Sequence, residues 1–166
     1  MCGICGIIKF NDNQIITQEL NSFTKSLKHR GPDSNSIYID KNKKVGFGHT
    51  RLSIIDISLN GLQPMKSNDE RYCITYNGEI YNYLELKKEL EIKGYVFKSN
   101  SDTEVLLYSF IEWGEECQKK LNGMWAFAIW DSKKHKLFLP ISTRGVVSSI
   151  IKDPVSDKMN RFISFY

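Results

Sequence analysis

The sequence predicts an α+β domain in which helices lie outside mostly antiparallel strands. Two observations lead to this fold class. Short segments rich in β-branched and aromatic residues are bounded by turn residues, and the helical runs are grouped instead of following every strand. The sequence shows no internal repeat, low-complexity tract or linker, so we expect one layered domain.

The expected strands are short and contain few charged residues. They cover residues 4–10, 36–40, 45–51, 71–76 and 95–98. Residues 124–130 and 137–141 flank the polar segment DSKKHK, which predicts a hairpin of two buried strands.

The helices are predicted from capping residues and from apolar spacing. Asn82 precedes Glu85 by three residues, and that run ends at Gly94. A second pair, Ser101 and Glu104, opens a run that ends at Gly114. A third helix is expected from about residue 17 to 28, where Leu20, Phe23 and Leu27 share one face.

Composition favours a folded protein that acts on a small molecule. The 166 residues fit one domain, and 41% hydrophobic residues suffice for a packed core. The net charge is +4 with basic residues dispersed, which argues against nucleic acid as a partner. No apolar run approaches the roughly 20 residues that span a bilayer, and no signal peptide pattern opens the chain. We therefore expect no membrane association and a cytoplasmic location.

The four cysteines are expected to remain reduced thiols in that compartment. Cys2 and Cys5 form one C-x-x-C pair, but a structural zinc site needs a second pair, and the other cysteines and the histidines are scattered. No metal site is therefore predicted. Cys5, Cys73 and Cys117 are interpreted as small packing residues.

Cys2 has a second interpretation because it follows the initiator methionine. A small residue at position 2 permits removal of Met1, and that requirement by itself would explain a cysteine there. Removal would also leave Cys2 with a free α-amine, whose pKa of about 7.7 to 8.0 suits it as a base for its own thiol.

Asn77 and Gly78 also allow two interpretations. Asn-Gly between strand-like runs is a strong hairpin signal. The Asn77 amide and the Gly78 backbone N–H could equally stabilise the oxyanion of a tetrahedral intermediate.

Two charged residues also have two possible roles each. Arg51 near a strand end could be a solvated charge, or its planar fork could bind a carboxylate. Asp102 after Ser101 could simply complement a helix dipole, or it could bind a cation.

Several segments, in order along the chain, resemble the glutaminase domain of glutamine-hydrolysing asparagine synthetases, which are class II glutamine amidotransferases. They are residues 1–4 (MCGI), 29–33 (HRGPD), 48–56 (GHTRLSIID), 63–64 (QP), 76–82 (YNGEIYN), 101–104 (SDTE) and 122–131 (NGMWAFAIWD). The resemblance covers residues 1–139. It implies the four-layered αββα sandwich of the N-terminal nucleophile hydrolases, with Cys2 at the end of a central strand.

The resemblance also implies a role for each site residue. Cys2 is the nucleophile, and Asn77 and Gly78 form the oxyanion hole. Arg51 binds the α-carboxylate of glutamine, and Asp102 binds its α-ammonium with help from Glu79. The pocket is completed by backbone groups of Leu52, Ser53, Ile54 and Ile55. The block at residues 29–33 is expected to be a loop bordering the site, and His49 is expected to be structural.

The resemblance implies no cofactor for the glutaminase step. In the family, ammonia passes to a second domain that uses ATP and Mg²⁺, and the Ser-Gly-Gly-X-Asp-Ser loop of that domain is missing from this sequence. We therefore expect a glutaminase that acts alone or supplies a separate synthetase.

Residues 140–166 diverge from the family pattern and are unassigned, as in a truncated or frame-disrupted gene. The alternative function is therefore a non-catalytic remnant or glutamine-binding module. An altered tail would leave a strand edge and the core near Trp125, Phe127 and Ile129 poorly covered.

Overall fold

The computed structural model describes residues 2–10, 12–53, 58–142, 147–152 and 159–165, the last two ranges only as backbone strands. The strands are β1 (Gly3–Ile8), β2 (Ser34–Ile39), β3 (Val45–Arg51), β4 (Met65–Lys66), β5 (Tyr72–Ile80), β6 (Gly123–Asp131), β7 (Lys136–Phe138), β8 (Val147–Lys152) and β9 (Met159–Phe165). The α-helices are α1 (Thr17–Ser26), α2 (Tyr83–Ile92) and α3 (Asp102–Trp113). Two 3-10 segments span Leu59–Gly61 and Gly114–Lys120.

These strands form two antiparallel sheets. The first has the order β2-β3-β1-β9-β8, and the second has the order β4-β5-β6-β7. Strand β1 is therefore interior to its sheet, between β3 and β9. The register pairs Gly3 with Thr50, so the residue before Gly3 lies beside the end of β3.

Three apolar layers hold the sheets and helices together. Between the sheets, Ile8 and Phe47 of the first pack with Cys73, Ala128 and Trp130 of the second. Helix α1 covers the outer face of the first sheet. Helices α2 and α3 cover the outer face of the second. The predicted αββα layering is confirmed.

Strand β5 extends beyond the predicted residues 71–76, and its Asn-Gly pair therefore lies within the strand and not in a turn. Asn77 and Gly78 lie inside the strand, opposite Ala126 and Trp125 of β6. The hairpin-turn interpretation is therefore wrong. A turn at this point would have prevented the long pairing with β6.

The predicted strand at residues 95–98 is also wrong, because its aromatic residues serve a different kind of packing. Tyr95 and Phe97 pack against Tyr108 of α3, each with ring centroids 5.2 Å apart, while Val96 is exposed. The alternation of partly buried and exposed residues therefore comes from packing on a helix and not from sheet pairing.

The predicted helices form, but one cap differs. Ser101 caps α3 by accepting a hydrogen bond from the Glu104 N–H at 3.3 Å. Asn82 precedes α2 without a capping bond. Its side chain instead accepts from the Asn122 N–H and donates to the Lys120 carbonyl, so it ties α2 to the loop before β6.

The expected exposure of the core near the tail is wrong. Trp125, Phe127 and Ile129 are buried against α2, α3 and Phe138. Strands β8 and β9 pair with each other, and β9 extends the first sheet beside β1. Residues from the unassigned tail thus provide backbone partners for the strand that follows Cys2.

Candidate active site

A small polar cavity of about 140 Å³ opens where β1, β3, β5 and α3 meet. Of the residues that the sequence singled out for chemistry, it gathers Cys2, Arg51, Leu52, Ser53, Asn77, Gly78, Glu79 and Asp102. These residues are as much as a hundred positions apart in the chain. A cavity of this size, lined mainly by polar residues and partly open to solvent, suits a ligand no larger than an amino acid.

The thiol of Cys2 lies against the backbone of Leu52. The Leu52 N–H points to Sγ at 3.4 Å, and the Leu52 carbonyl lies 3.7 Å from the same sulfur. Burial raises the pKa of the Cys2 thiol, and the hydrogen bond from Leu52 partly offsets this effect. Cys2 is partly buried, and a partly buried thiol with a nearby N–H donor becomes reactive once a base removes its proton.

Strand β3 delivers two residues to the cavity by simple alternation. Val45 and Phe47 face the second sheet in the core, so His49 and Arg51 continue along the same face. Arg51 is largely buried, and its Nη1 donates to the Ser58 carbonyl at 2.9 Å. A fixed, buried guanidinium at the cavity wall suits recognition of a carboxylate.

His49 is neutral in this environment. Burial lowers the pKa of its ring to about 3, and the nearby Arg51 charge adds to the decrease. Among the residues that the structure describes, its Nε2 has no hydrogen-bond partner. His49, which was expected to be structural, is part of the cavity lining.

Strand β5 presents its two faces to different parts of the site. Thr75 donates to the Gly48 carbonyl at 3.5 Å, so Asn77, two residues later, also faces the first sheet. Tyr76, on the opposite face, packs with the helices. The strand can therefore supply an amide to the space near Cys2 and a phenol to α3.

Asp102 occupies the first turn of α3 in a buried position. Its Oδ2 accepts from the Tyr76 hydroxyl at 2.7 Å and from the Ile80 N–H at 3.3 Å. Burial raises the pKa of the Asp102 carboxyl, and the Tyr76 hydrogen bond acts in the opposite direction. Glu79 also lines the cavity, but it is exposed at the rim.

The loop at residues 29–33 supports the cavity without lining it. Asp33 accepts a hydrogen bond from the Ser53 N–H at 2.7 Å, which fixes the segment just after β3. Leu52 and Ser53 are half-buried in that segment. Ile54 and Ile55, expected to line the same pocket, lie outside the described residues.

Several lining residues were not assigned a role from the sequence, among them Gln63, Tyr76 and Thr103. The Gln63 Oε1 accepts from the Tyr76 N–H at 2.6 Å, and its Nε2 donates to Thr103 Oγ1 at 3.0 Å. All three lie within segments that resemble the family. Their location in these segments was the only feature of the sequence that pointed to them. A side chain that bridges a loop, a strand and a helix produces no periodic pattern.

Within the residues that the structure describes, no cluster of three or more His, Cys, Asp or Glu side chains could hold a metal ion. In the same part of the chain, no helix has the length and apolar character needed to cross a membrane.

The layered sandwich, with a cysteine before a central strand and a polar cavity beside it, is the architecture of a glutamine amidotransferase. The chain belongs to the glutamine amidotransferase domain family, which matches residues 1–146.

Similar proteins include two asparagine synthetases. Asparagine synthetase [glutamine-hydrolyzing] 1 of Bacillus subtilis is 48% identical over 143 residues, covering 83% of this chain and 22% of its own length. Putative asparagine synthetase [glutamine-hydrolyzing] 2 of Methanocaldococcus jannaschii is 43% identical over 162 residues, covering 88% and 31% respectively. The chain thus spans about a fifth to a third of these curated relatives.

A solved structure supports the fold. The glutamine phosphoribosylpyrophosphate amidotransferase of B. subtilis, complexed with ADP and GMP, superposes with a TM-score of 0.74 and 20% identity. The superposition covers 98% of this chain and 41% of that chain.

Proposed function

We propose that this domain hydrolyses glutamine to glutamate and ammonia, with Cys2 as the N-terminal nucleophile. The observation that carries the proposal is the convergence of Cys2, Arg51, Asn77 and Asp102 on one cavity. It supplies a nucleophile, an oxyanion donor and one group for each charge of a free amino acid.

The reaction begins after Met1 has been removed. The α-amine of Cys2 takes the proton from its own thiol, directly or through one water. Sγ then attacks the side-chain amide carbon of glutamine, and the amide oxygen becomes an oxyanion. The Asn77 amide and the Gly78 N–H donate to this oxygen, and Gly78 has no Cβ to obstruct its approach.

The intermediate collapses when the C–N bond breaks. The α-ammonium of Cys2 returns its proton to the departing nitrogen, so ammonia leaves and a γ-glutamyl thioester remains. A water molecule, deprotonated by the same amine, attacks the thioester. Glutamate leaves with the water oxygen, and the thiol recovers its proton.

Recognition of the substrate depends on its two charges. The Arg51 guanidinium pairs with the α-carboxylate, with backbone groups from Leu52 to Ile55 beside it, while Asp102 and the exposed Glu79 receive the α-ammonium. Each charge then meets a partner inside a partly desolvated cavity, where such pairs discriminate strongly against uncharged analogues.

The glutaminase step requires no cofactor in this scheme. The ammonia acceptor would be a separate synthetase that consumes ATP with Mg²⁺, and the domain would act in the cytoplasm. The competing remnant hypothesis depended on the divergent residues 140–166, which were expected to leave the core near Trp125, Phe127 and Ile129 poorly covered. These three residues are buried, so this expected consequence is not observed.

The test combines intact-mass measurement, an assay of ammonia release and chemical trapping of the thioester. Intact-mass measurement should show a chain beginning at Cys2, and the protein should release ammonia from glutamine. Hydroxylamine should divert the thioester into γ-glutamyl hydroxamate. Cys2→Ala keeps a small second residue and hence Met1 removal, but it should form neither product.

Cys5→Ala is the matched control, because Cys5 is a buried thiol on β1 outside the cavity lining. This variant should retain turnover. A chain that keeps Met1 yet hydrolyses glutamine would contradict the N-terminal nucleophile mechanism.

A further inference from the structure

Tyr76 joins the strand that carries Asn77 to the helix that carries Asp102. Because side chains alternate along β5, Tyr76 extends toward α3 while Asn77 faces the first sheet. The Tyr76 hydroxyl donates to Asp102 Oδ2 at 2.7 Å inside the protein, where both residues are buried. The phenol therefore contacts the carboxylate directly.

The backbone at Tyr76 is held by a second hydrogen bond. Tyr76 lies opposite the segment that precedes β4, since β4 begins at Met65, which pairs with Ile74. The Gln63 side chain takes the place of the missing strand by accepting from the Tyr76 N–H at 2.6 Å. Gln63 also donates to Thr103. The first turn of α3 is therefore linked to Tyr76 twice, through Gln63 to its backbone and through Asp102 to its hydroxyl.

The hydroxyl donor matters because Asp102 is in an unfavourable environment for a charge. Burial raises the pKa of its carboxyl, and the Tyr76 hydrogen bond is the largest opposing cause. A charge-assisted hydrogen bond to a buried carboxylate both favours the ionised form and fixes its orientation. A loose or protonated carboxyl would bind an ammonium group poorly.

We propose that Tyr76 is a specificity-determining positioning residue, whose hydroxyl holds the Asp102 carboxylate in place to receive the α-ammonium of an amino-acid substrate. The inference rests on the proposed function for the identity of the substrate. It adds a residue that selects α-amino amides over amides without the amine, and this residue acts through Asp102 without forming a bond to the reacting atoms.

The test measures binding, so that it does not depend on turnover. Calorimetry on the full chain with Cys2→Ala gives dissociation constants for glutamine and for 4-carbamoylbutanoate, which lacks only the α-amine. Adding Tyr76→Phe should weaken glutamine binding by about tenfold, the usual effect of losing one charge-assisted hydrogen bond. Binding of the des-amino analogue should change by less than about twofold, because it makes no bond to Asp102.

Tyr108→Phe is the matched control. Tyr108 is as buried as Tyr76, lies on α3, and has a hydroxyl that accepts from Asn68 at 2.9 Å, but it is outside the cavity lining. It should leave both affinities unchanged. A second comparison combines Tyr76→Phe with Asp102→Asn. In the variant that already lacks the Asp102 carboxylate, Tyr76→Phe should not weaken glutamine binding further, because Tyr76 acts through that carboxylate.

Equal weakening of both ligands by Tyr76→Phe would overturn the inference, as would an unchanged affinity for glutamine. Failure of either ligand to bind the parent protein would overturn it as well. A chain that binds glutamine with the expected Tyr76-dependent selectivity, but releases no ammonia when Cys2 is present, would contradict the proposed hydrolysis and leave this inference standing.

Discussion

Gly31 lies directly against the backbone of Thr50. A Cβ built on residue 31 would be 2.4 Å from both the carbonyl carbon and the carbonyl oxygen of Thr50, and 2.5 Å from the Arg51 nitrogen. No flexible side chain can yield at this contact, because all three atoms belong to the backbone. Glycine at position 31 is therefore what allows the loop at residues 29–33 to approach the end of β3.

Gly31→Ala should displace the end of β3 and with it Arg51. We expect a destabilisation of about 1 to 3 kcal/mol from overpacking, together with a loss of glutaminase activity. Melting temperature and ammonia release measure the two effects. Gly94→Ala is the comparison: nothing lies within 4 Å of its added Cβ, and only its φ of +93° is unfavourable. That variant should lose stability and keep the activity of its folded fraction.

Arg51 and Asn77 should affect different kinetic parameters. Arg51→Lys keeps the charge but loses the planar fork, so it should mainly raise KM for glutamine. Asn77→Ala removes the proposed donor to the oxyanion, so it should lower kcat by about 100- to 1000-fold. Steady-state kinetics with glutamine separate the two. Small and equal effects would mean that the assignment of these residues is wrong.

Asp102→Asn should weaken substrate binding while it stabilises the fold. Burial raises the pKa of the Asp102 carboxyl in the folded state, so its ionised form destabilises the protein once the pH exceeds that pKa. At neutral pH the variant should therefore melt at a higher temperature than the wild type. The difference should vanish below the ordinary pKa of about 3.9, where both chains carry a neutral group. A variant that melts lower at every pH would contradict the burial argument.

His49 should contribute to acid unfolding. Its folded pKa is depressed to about 3, whereas an exposed histidine titrates near 6.5. The neutral His49 ring contributes fully to the free energy of unfolding above the pKa of the unfolded state. This contribution is lost as the pH falls from that pKa to the folded one, by about 1.4 kcal/mol per pH unit. Denaturant unfolding of His49→Gln between these pH values should show a shallower decrease. His29→Gln, at an exposed site, controls for the loss of a histidine in general.

The fold class was predictable because most strands can be recognised from their own residues and the turns that flank them. The segment at Val45–Arg51 was predicted with its observed bounds, since turn residues flank it on both sides. Residues 95–98 have the same local composition as a strand, but they pack on α3. Composition records that a residue is buried and does not record which element buries it.

The candidate site was predictable only as a set of separate residues. The resemblance named Cys2, Arg51, Asn77 and Asp102, and the structure brings them to one cavity, while their individual roles stay predictions. The contact between Gln63 and Tyr76 could not be predicted, because it depends on where β4 begins. Such bonds are set by tertiary packing and have no spacing rule in the sequence.

The position of β1 between β3 and β9 has a consequence for how the protein acquires its activity. Cys5 pairs with Gly48 on one side and with Ile163 on the other, so one neighbour comes from the opposite end of the chain. Contacts between residues so distant in sequence form slowly, since a long loop must close first. During synthesis Cys2 leaves the ribosome long before residues 159–165, so its strand gains its second neighbour only after those residues have emerged. We therefore expect refolding experiments to show helix formation well before ammonia release returns.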